Sequence, residues 1–233
     1  MTTRIAFYAA TAALVLCAAI PAWADEEIGV VYEREFRGAE GTRTNGETRD
    51  LRWNGPVFSE ETVTTGADAK TELQFIDQTH ISVGPNSQVV LDSFVYDPSQ
   101  NTGDAVVTFG KGVFRWVTGD MNKDAYHIQT PSATLAIRGT IFRLLIDEMN
   151  NVIVYVEEGA VEIFPCDNKP GGVINAGKSG FVTATCSLGV RDGNAMIDHD
   201  DNDGNADSRD SEGPERESGN TDDGGNTDGG DID

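Results

Sequence analysis

From Leu73 onward, apolar side chains recur at every second position: Leu73 and Phe75, Ile81 and Val83, Val89 and Leu91 alternate with Glu, Gln, Ser and Asp. A period of two puts one face of each segment in a core and the other in water, which strands do and helices do not. Turn residues separate these segments at Ile76-Asp77-Gln78-Thr79 and Gly84-Pro85-Asn86-Ser87. The pattern continues through Val106–Phe109 and Val113–Val117, where the intervening Gly110-Lys111-Gly112 fits a short hairpin loop. Further strands are expected at Tyr126–Gln129, Leu135–Ile137, Ile141–Ile146, Val152–Val156, Val161–Phe164, Val173–Ile174 and Phe181–Thr185. About a dozen short strands with regular turn signals predict an all-β sandwich, barrel or solenoid. Ile76-Asp77 leading to Val83 and Ile146-Asp147 leading to Val154 share one order, apolar, Asp, polar turn, strand, a faint sign of layered repetition.

Charge narrows the function classes. The 233 residues hold 17 Lys+Arg against 39 Asp+Glu, a formal charge of -22. A nucleic-acid binder needs a basic face, and a polybasic membrane anchor needs a cluster of cations, so both classes are excluded. The acids concentrate at the end: residues 191–233 carry 15 acids, 3 bases and almost no sizeable apolar side chain. Such a segment has too little apolar area to offset its chain entropy, so 191–233 reads as a disordered acidic tail. At the other end, Arg4 precedes the apolar run Ile5–Ile20, then Pro21 and Ala22-Trp23-Ala24. That order reads as a secretory signal over 1–24, cut after Ala24, because the run falls short of the ~20 residues a spanning helix needs. The expected β-domain is therefore 25–190. The expected location is the periplasm, with an extracellular one as the alternative, and no membrane span follows signal cleavage.

Cleavage removes Cys17 and leaves Cys166 and Cys186. In an exported chain oxidation is the default, and a bridge between them would close a loop of about 21 residues, worth about 3 kcal/mol in the chain-entropy model. A redox-active pair would want the close spacing of C-x-x-C.

The run Ile128 to Phe142, Ile-Gln-Thr-Pro-Ser-Ala-Thr-Leu-Ala-Ile-Arg-Gly-Thr-Ile-Phe, resembles the "TP-x-A-x-x-x-(V/I)RGT-x-F" signature of the FecR-type periplasmic domain, named for ferric-citrate regulators. Val152 to Ile163, with Gly159, is similar to the family's following "V-x-V-x-x-G-x-V-x-(V/I)", and Ala176-Gly177 falls where the family has another glycine turn. Upstream, Val63-Thr64-Thr65-Gly66 and Leu73 to Thr79 look like "V-x-T-G … L-x-F-x-D-G-T", and Ile81 to Ser87 like "L-x-L-x-P-x-S". The resemblance spans roughly 57–183. It implies a β-rich, two-sheet solenoid or roll. In the signalling members it implies a periplasmic sensor relaying occupancy of an outer-membrane receptor to a cytoplasmic sigma factor. The sequence as read leads us to expect no cytoplasmic segment before the apolar run and no second span or receptor-docking domain after it. The expectation is thus a stand-alone, non-enzymatic interaction module for a protein or cell-envelope ligand. The alternatives are regulation of sigma-factor signalling through a separate membrane partner and an envelope hydrolase.

Arg138-Gly139-Thr140 is the most motif-like triplet. Arg138 could hold an anionic ligand, or Gly139 could simply supply a bulge or positive φ between strands. Trp116 and Tyr126, with Trp53 and Phe142, could form an aromatic binding surface or pack in the core. His80 and His127 have no second ligand at zinc spacing, and no G-x-S-x-G elbow is present. Gly172 to Ser179 matches the phosphate-loop pattern formally, yet that motif joins a strand to a helix, and here both flanks read as strand. No catalytic residue and no cofactor are expected. In the tail, His199 to Asp210 places Asp201, Asp203, Asp207 and Asp210 around Gly204, resembling a calcium loop. His at its first position and Asp at its last make a weak calcium site the most it would form.

Overall fold

The structure is a computed structural model that describes residues 26–32, 38–137, 139–166 and 169–196. In chain order its strands are β1 (Glu27–Val31), β2 (Ala39–Thr42), β3 (Thr48–Asp50), β4 (Pro56–Phe58), β5 (Glu61–Thr65) and β6 (Thr71–Phe75). Then come β7 (His80–Val83), β8 (Gln88–Asp97), β9 (Thr102–Phe109), β10 (Gly112–Val117), β11 (Tyr126–Gln129) and β12 (Ala133–Ile137). The last six are β13 (Ile141–Ile146), β14 (Val152–Glu158), β15 (Ala160–Pro165), β16 (Gly172–Asn175), β17 (Lys178–Val182) and β18 (Leu188–Asp192). A 3-10 turn at Lys123–Ala125 is the one helical element among the described residues.

The strands form two nine-stranded sheets. Sheet A has the order β18-β17-β14-β13-β10-β7-β6-β1-β4, and sheet B the order β16-β15-β12-β11-β9-β8-β5-β2-β3. From β6 onward the chain mostly lays down two strands in one sheet and then two in the other, so successive hairpins face each other across the core. This is the all-β class that the alternating pattern predicts and the two-sheet roll that the family resemblance implies. Strands β9 and β11 pair in parallel, which a tight turn cannot achieve. The crossover between them is β10, lying in the opposite sheet.

Alternation along each strand fills the space between the sheets. Phe75 of β6 stacks on Phe94 of β8 with ring centroids 4.6 Å apart, joining sheet A to sheet B. Trp116 of β10 meets Tyr126 of β11 edge-on at 5.7 Å and lies along Phe142 of β13 at 6.2 Å. All five rings are buried, and burying each is worth about 1.5–3 kcal/mol or more.

One expectation is corrected, and two features escape the sequence pattern. Gly110-Lys111-Gly112 does not close a hairpin, because β9 belongs to sheet B and β10 to sheet A. Gly112 takes φ 127° and passes so close over Ser87 that a Cβ would collide with that side chain, so the glycines serve a crossing between sheets. Strands β1 to β4 went unread because segments such as Ala39-Glu40-Gly41-Thr42 and Thr48-Arg49-Asp50 offer almost no apolar alternation. The boundary expected at Val190 falls inside β18, which pairs with β17 through Asp192; beyond it Ala195 and Met196 are buried. The signal segment 1–24 and the proposed calcium ligands Asp201, Asp203, Asp207 and Asp210 lie outside the described residues.

Candidate functional site

The signature residues converge on one short connection, Thr118-Gly119-Asp120, which carries the chain from β10 back toward sheet B. On one side stands the β6–β7 turn. The Asp77 carboxylate is fully buried and accepts hydrogen bonds from the backbone N–H of Thr79 at 2.9 Å, the Thr79 hydroxyl at 2.8 Å and the Tyr126 hydroxyl at 2.5 Å. Gly119 N–H donates to Thr79 Oγ1 at 3.0 Å, and Asp120 N–H to the Asp77 carbonyl at 2.7 Å. A Cβ at Gly119 would run into the backbone of Asp77 and Thr79, so only glycine permits this approach. Burial, then the bond to Asp77, pushes the Tyr126 hydroxyl well above the ordinary tyrosine range.

On the other side stands the Arg-Gly-Thr triplet. Thr140 N–H donates to Thr118 Oγ1 at 3.0 Å, and the Thr118 hydroxyl donates to the Thr140 carbonyl at 2.8 Å. Trp116 Nε1–H reaches the same Thr118 oxygen at 3.2 Å, which satisfies the one polar atom of a buried indole. Gly139 has φ 63°, and Gly159, from the next signature segment, has φ 79° and lies where a Cβ would collide with the Gly139 carbonyl. Pairing of β13 with β14 also shifts register between Ile141 and Phe142. Gly139 thus supplies the positive φ that was the simpler reading of the triplet. Arg138 itself lies outside the described residues.

Tyr126 and Trp116 therefore sit within the motif hub and the core, 2% and 1% exposed, not on an aromatic surface. Phe142 joins them there, while Trp53 is half exposed. Parity was the available signal: Trp116 shares its face of β10 with Phe114, and that face points inward. His80 Nδ1–H donates to the Glu72 carboxylate at 2.8 Å, its Nε2 meets the Gln74 side-chain amide at 3.2 Å, and His127 faces Asp104 at 3.3 Å. The phosphate-loop lookalike is strand, turn, strand: β16 ends at Asn175, Gly177 turns with φ 82°, and β17 begins at Lys178 in the other sheet. Cys166 and Cys186 form a disulfide. No cluster of three or more metal-ligating side chains occurs among the described residues.

What remains accessible is surface. A groove of about 440 Å³ runs along the outer side of sheet B, between Thr130-Pro131 of the signature, Phe164 and Lys169. Phe164 is 41% exposed there, and Val173 on the neighbouring edge strand is exposed too. On the outer face of sheet A, Arg115 and Arg143 face each other in register and share Glu157, at 2.9 and 2.5 Å. Burial alone would push the Glu157 carboxyl up, but hydrogen bonds and charge from Arg115 and then Arg143 outweigh it and hold it below the usual range. Chemically, these surfaces can bind by hydrogen bonds, ion pairs and apolar contact.

The family model described as FecR protein matches residues 61–162, which run from β5 to β15 and include every residue of the hub. Two crystal structures of a candidate anti-sigma factor from Parabacteroides distasonis, at 2.50 and 1.65 Å resolution, are similar in structure with TM-scores of 0.47 and 0.46. Each is 13% identical, and each alignment covers 58% of this chain and 61% of the other, so this chain spans less than two thirds of those proteins. No curated protein matches it. No helix among the described residues is long and apolar enough to cross a membrane. Within the hub, Asp77, Thr79, Gly139, Thr140 and Gly159 fall on the family pattern, and the chain carries a FecR domain over 61–162.

Proposed function

We propose that this chain is a regulator of sigma-factor signalling that acts outside the cytoplasm by protein contact, through a membrane partner, and not by catalysis. The FecR domain at 61–162 carries this reading. The fold suits it physically. The signature residues are consumed in holding the two sheets together, and what they hold up are broad pleated faces. A stable protein contact buries about 800 Å² per partner, an area that suits such a face better than a narrow cavity. The disulfide between Cys166 and Cys186 and the apolar run before Ala22-Trp23-Ala24 support an exported chain, in the periplasm. The broader reading, a module that binds a cell-envelope ligand, draws its support from the groove beside Thr130, Phe164 and Lys169.

Transcript profiling tests the regulatory reading. Deleting and overproducing the chain should move one sigma-factor regulon in opposite directions, and a copy lacking 61–162 should not restore it. Sigma-dependent transcripts unchanged in both backgrounds would overturn the regulatory role and leave the FecR domain as a binding module.

A further inference from the structure

One line of paired residues crosses the outer face of sheet B. Thr48 of β3 pairs with Thr42 of β2, Thr42 with Thr62 of β5, and Thr62 with Val90 of β8. The line continues from Val90 to Thr108 of β9, Gln129 of β11, Thr134 of β12 and Phe164 of β15. Thr62, Thr108 and Thr134 each stand between two buried residues of their strands, so their side chains point outward. Strands lie ~4.8 Å apart, so the steps from Thr48 to Phe164 make a track of roughly 34 Å.

The chemistry of this track is uniform. Five threonines and Gln129 fill six of its eight positions, and none of the eight is ionisable. Thr42 and Thr48 bond to each other through their hydroxyls at 3.0 Å. The side chains of Thr62, Thr108, Gln129 and Thr134 hydrogen-bond to no partner among the described residues. A hydroxyl both donates and accepts, and so does a glutamine amide, so these four offer bonds of both kinds to whatever lies on the face. Glu40 and Glu162 stand on the same face, each two residues off the track. In a chain with a formal charge of -22 they turn an anionic polymer away.

Toward each end the track sinks into a groove. One, of about 460 Å³, is lined by Thr42, Thr62 and Val90 of the track and by Asp92 beside it. The other is the groove of about 440 Å³ that holds Thr134 and Phe164. Thr108 and Gln129 bridge the interval between them. In the first groove Asp92 Oδ2 is buried with no hydrogen-bond partner among the described residues. A buried acceptor without a donor is uncommon, and a hydroxyl seated in the groove supplies the kind of donor it lacks. In the second groove the ring of Phe164 is exposed.

We infer that the outer face of sheet B binds a neutral linear polysaccharide, laid across the strands from one groove to the other. Its hydroxyls match the hydroxyls and amide of the track, and the C–H face of a sugar ring matches the exposed ring of Phe164. An uncharged chain escapes the repulsion of Glu40 and Glu162. A protein partner would want a desolvated apolar or aromatic centre, and the centre of this track is Thr108 and Gln129. The inference does not rest on the proposed signalling role; it gives the groove beside Phe164 a ligand class.

The test is amide-shift mapping by NMR on the full chain, with the linear hexamers of glucose and of N-acetylglucosamine as probes. At least one hexamer should shift the amides of Thr62, Thr108, Gln129 and Thr134. The matching disaccharide, too short to reach both grooves, should bind about tenfold more weakly or worse, because it makes fewer of the hydrogen bonds. Salt at about 1 M, where the Debye length falls to ~3 Å, should leave the affinity unchanged, since no ion pair is involved. The double variant Thr108→Val, Thr134→Val keeps strand-forming side chains and should weaken hexamer binding about tenfold or more, each lost bond being worth roughly a factor of two to twelve. Thr108→Ser with Thr134→Ser keeps both hydroxyls and should bind like the native chain. The inference is overturned if neither hexamer shifts those four amides, if the disaccharide binds as tightly as the hexamer, or if the valine variant binds as well as the native chain. It is equally overturned if the same amides shift on raising protein concentration without sugar, because a second copy would then be the occupant. Transcript profiling of the signalling role involves no sugar, so either reading can fail alone.

Discussion

In the β6–β7 hairpin, Asp77 follows Ile76 and closes the turn with its own carboxylate; in the β13–β14 hairpin, Asp147 follows Ile146 and does likewise. Asp147 accepts from Met149 N–H, Asn151 N–H and Asn151 Nδ2, each at 2.8 Å. Both turns put a residue in the left-handed region just before the returning strand, Gln78 at φ 69° and Asn150 at φ 63°. The local chemistry is the same, since a short carboxylate satisfies turn N–H groups that no strand partner can reach. The difference lies in reach. Asp147 is half-buried and bonds only within its own turn. Asp77 is fully buried and accepts from Tyr126, 49 residues away in the opposite sheet. One turn ends a hairpin; the other ties two sheets together. An internal resemblance in sequence can thus mark a shared turn solution without a shared role.

The comparison is broken most forcefully at Asp77. Asp77→Ala would strand the Tyr126 hydroxyl and the donors of Thr79 in a dry site, at about 1–3 kcal/mol for each buried unsatisfied group. We expect a loss of roughly 3–5 kcal/mol by urea denaturation, from summing those penalties without full additivity. A loss no larger than that of Asp147→Ala would erase the distinction drawn between the turns.

Tyr126→Phe comes next, with a smaller expected loss of about 1–3 kcal/mol, because Asp77 keeps its two donors from Thr79. It carries a pH signature as well. The folded tyrosine pKa lies above the unfolded value of about 10, so the hydroxyl's contribution is complete below pH 10. Above that, the unfolded chain gives up its proton while the folded one keeps it, and stability falls as pH rises toward the folded pKa. Measured against Tyr126→Phe, the native protein should lose its advantage progressively above about pH 10. Curves that stay parallel through that range would contradict the buried, proton-donating tyrosine.

Asp147→Ala should cost about 1 kcal/mol, the scale of a solvent-facing turn bond that water can replace. Smaller still, and of opposite sign, is Gln78→Gly. The family pattern carries glycine at this position, and φ 69° explains why, since a side chain there bears a steric cost of roughly 1 kcal/mol. The substitution should raise the melting temperature slightly. A fall would mean that the bond from Gln74 Nε2 to Gln78 Oε1 at 2.8 Å outweighs the strain.

Legibility in the sequence followed the range of each interaction. The strands from β6 to β15 were readable because alternation and turn residues are local, and so was the role of Gly139, whose positive φ is a property of one residue. The disulfide partners were readable because exported chains oxidise their cysteines. The site was less accessible. Tyr126 belongs to the hub through Asp77, and no spacing rule connects positions 77 and 126. Thr118-Gly119-Asp120, the connection on which both signature triplets rest, resembles any polar loop in one dimension. The arginines of sheet A stood in separate strands, and only cross-strand register brings Arg115 beside Arg143. The edge strand β18 was invisible because four of its five residues are exposed, so it carries no alternation.

A double-mutant cycle tests the cross-sheet tie most directly. Chemical denaturation of Asp77→Asn, Tyr126→Phe and the double variant gives the coupling between these two residues, with Asp147→Asn and Tyr126→Phe as the control cycle. Groups sharing one buried hydrogen-bond network should couple by about 0.5–3 kcal/mol, and distant groups should add within ~0.5 kcal/mol. The account predicts clear coupling for Asp77 with Tyr126 and additivity for Asp147 with Tyr126. Additivity in both cycles would contradict it, because Asp77 would then be a local turn residue like Asp147.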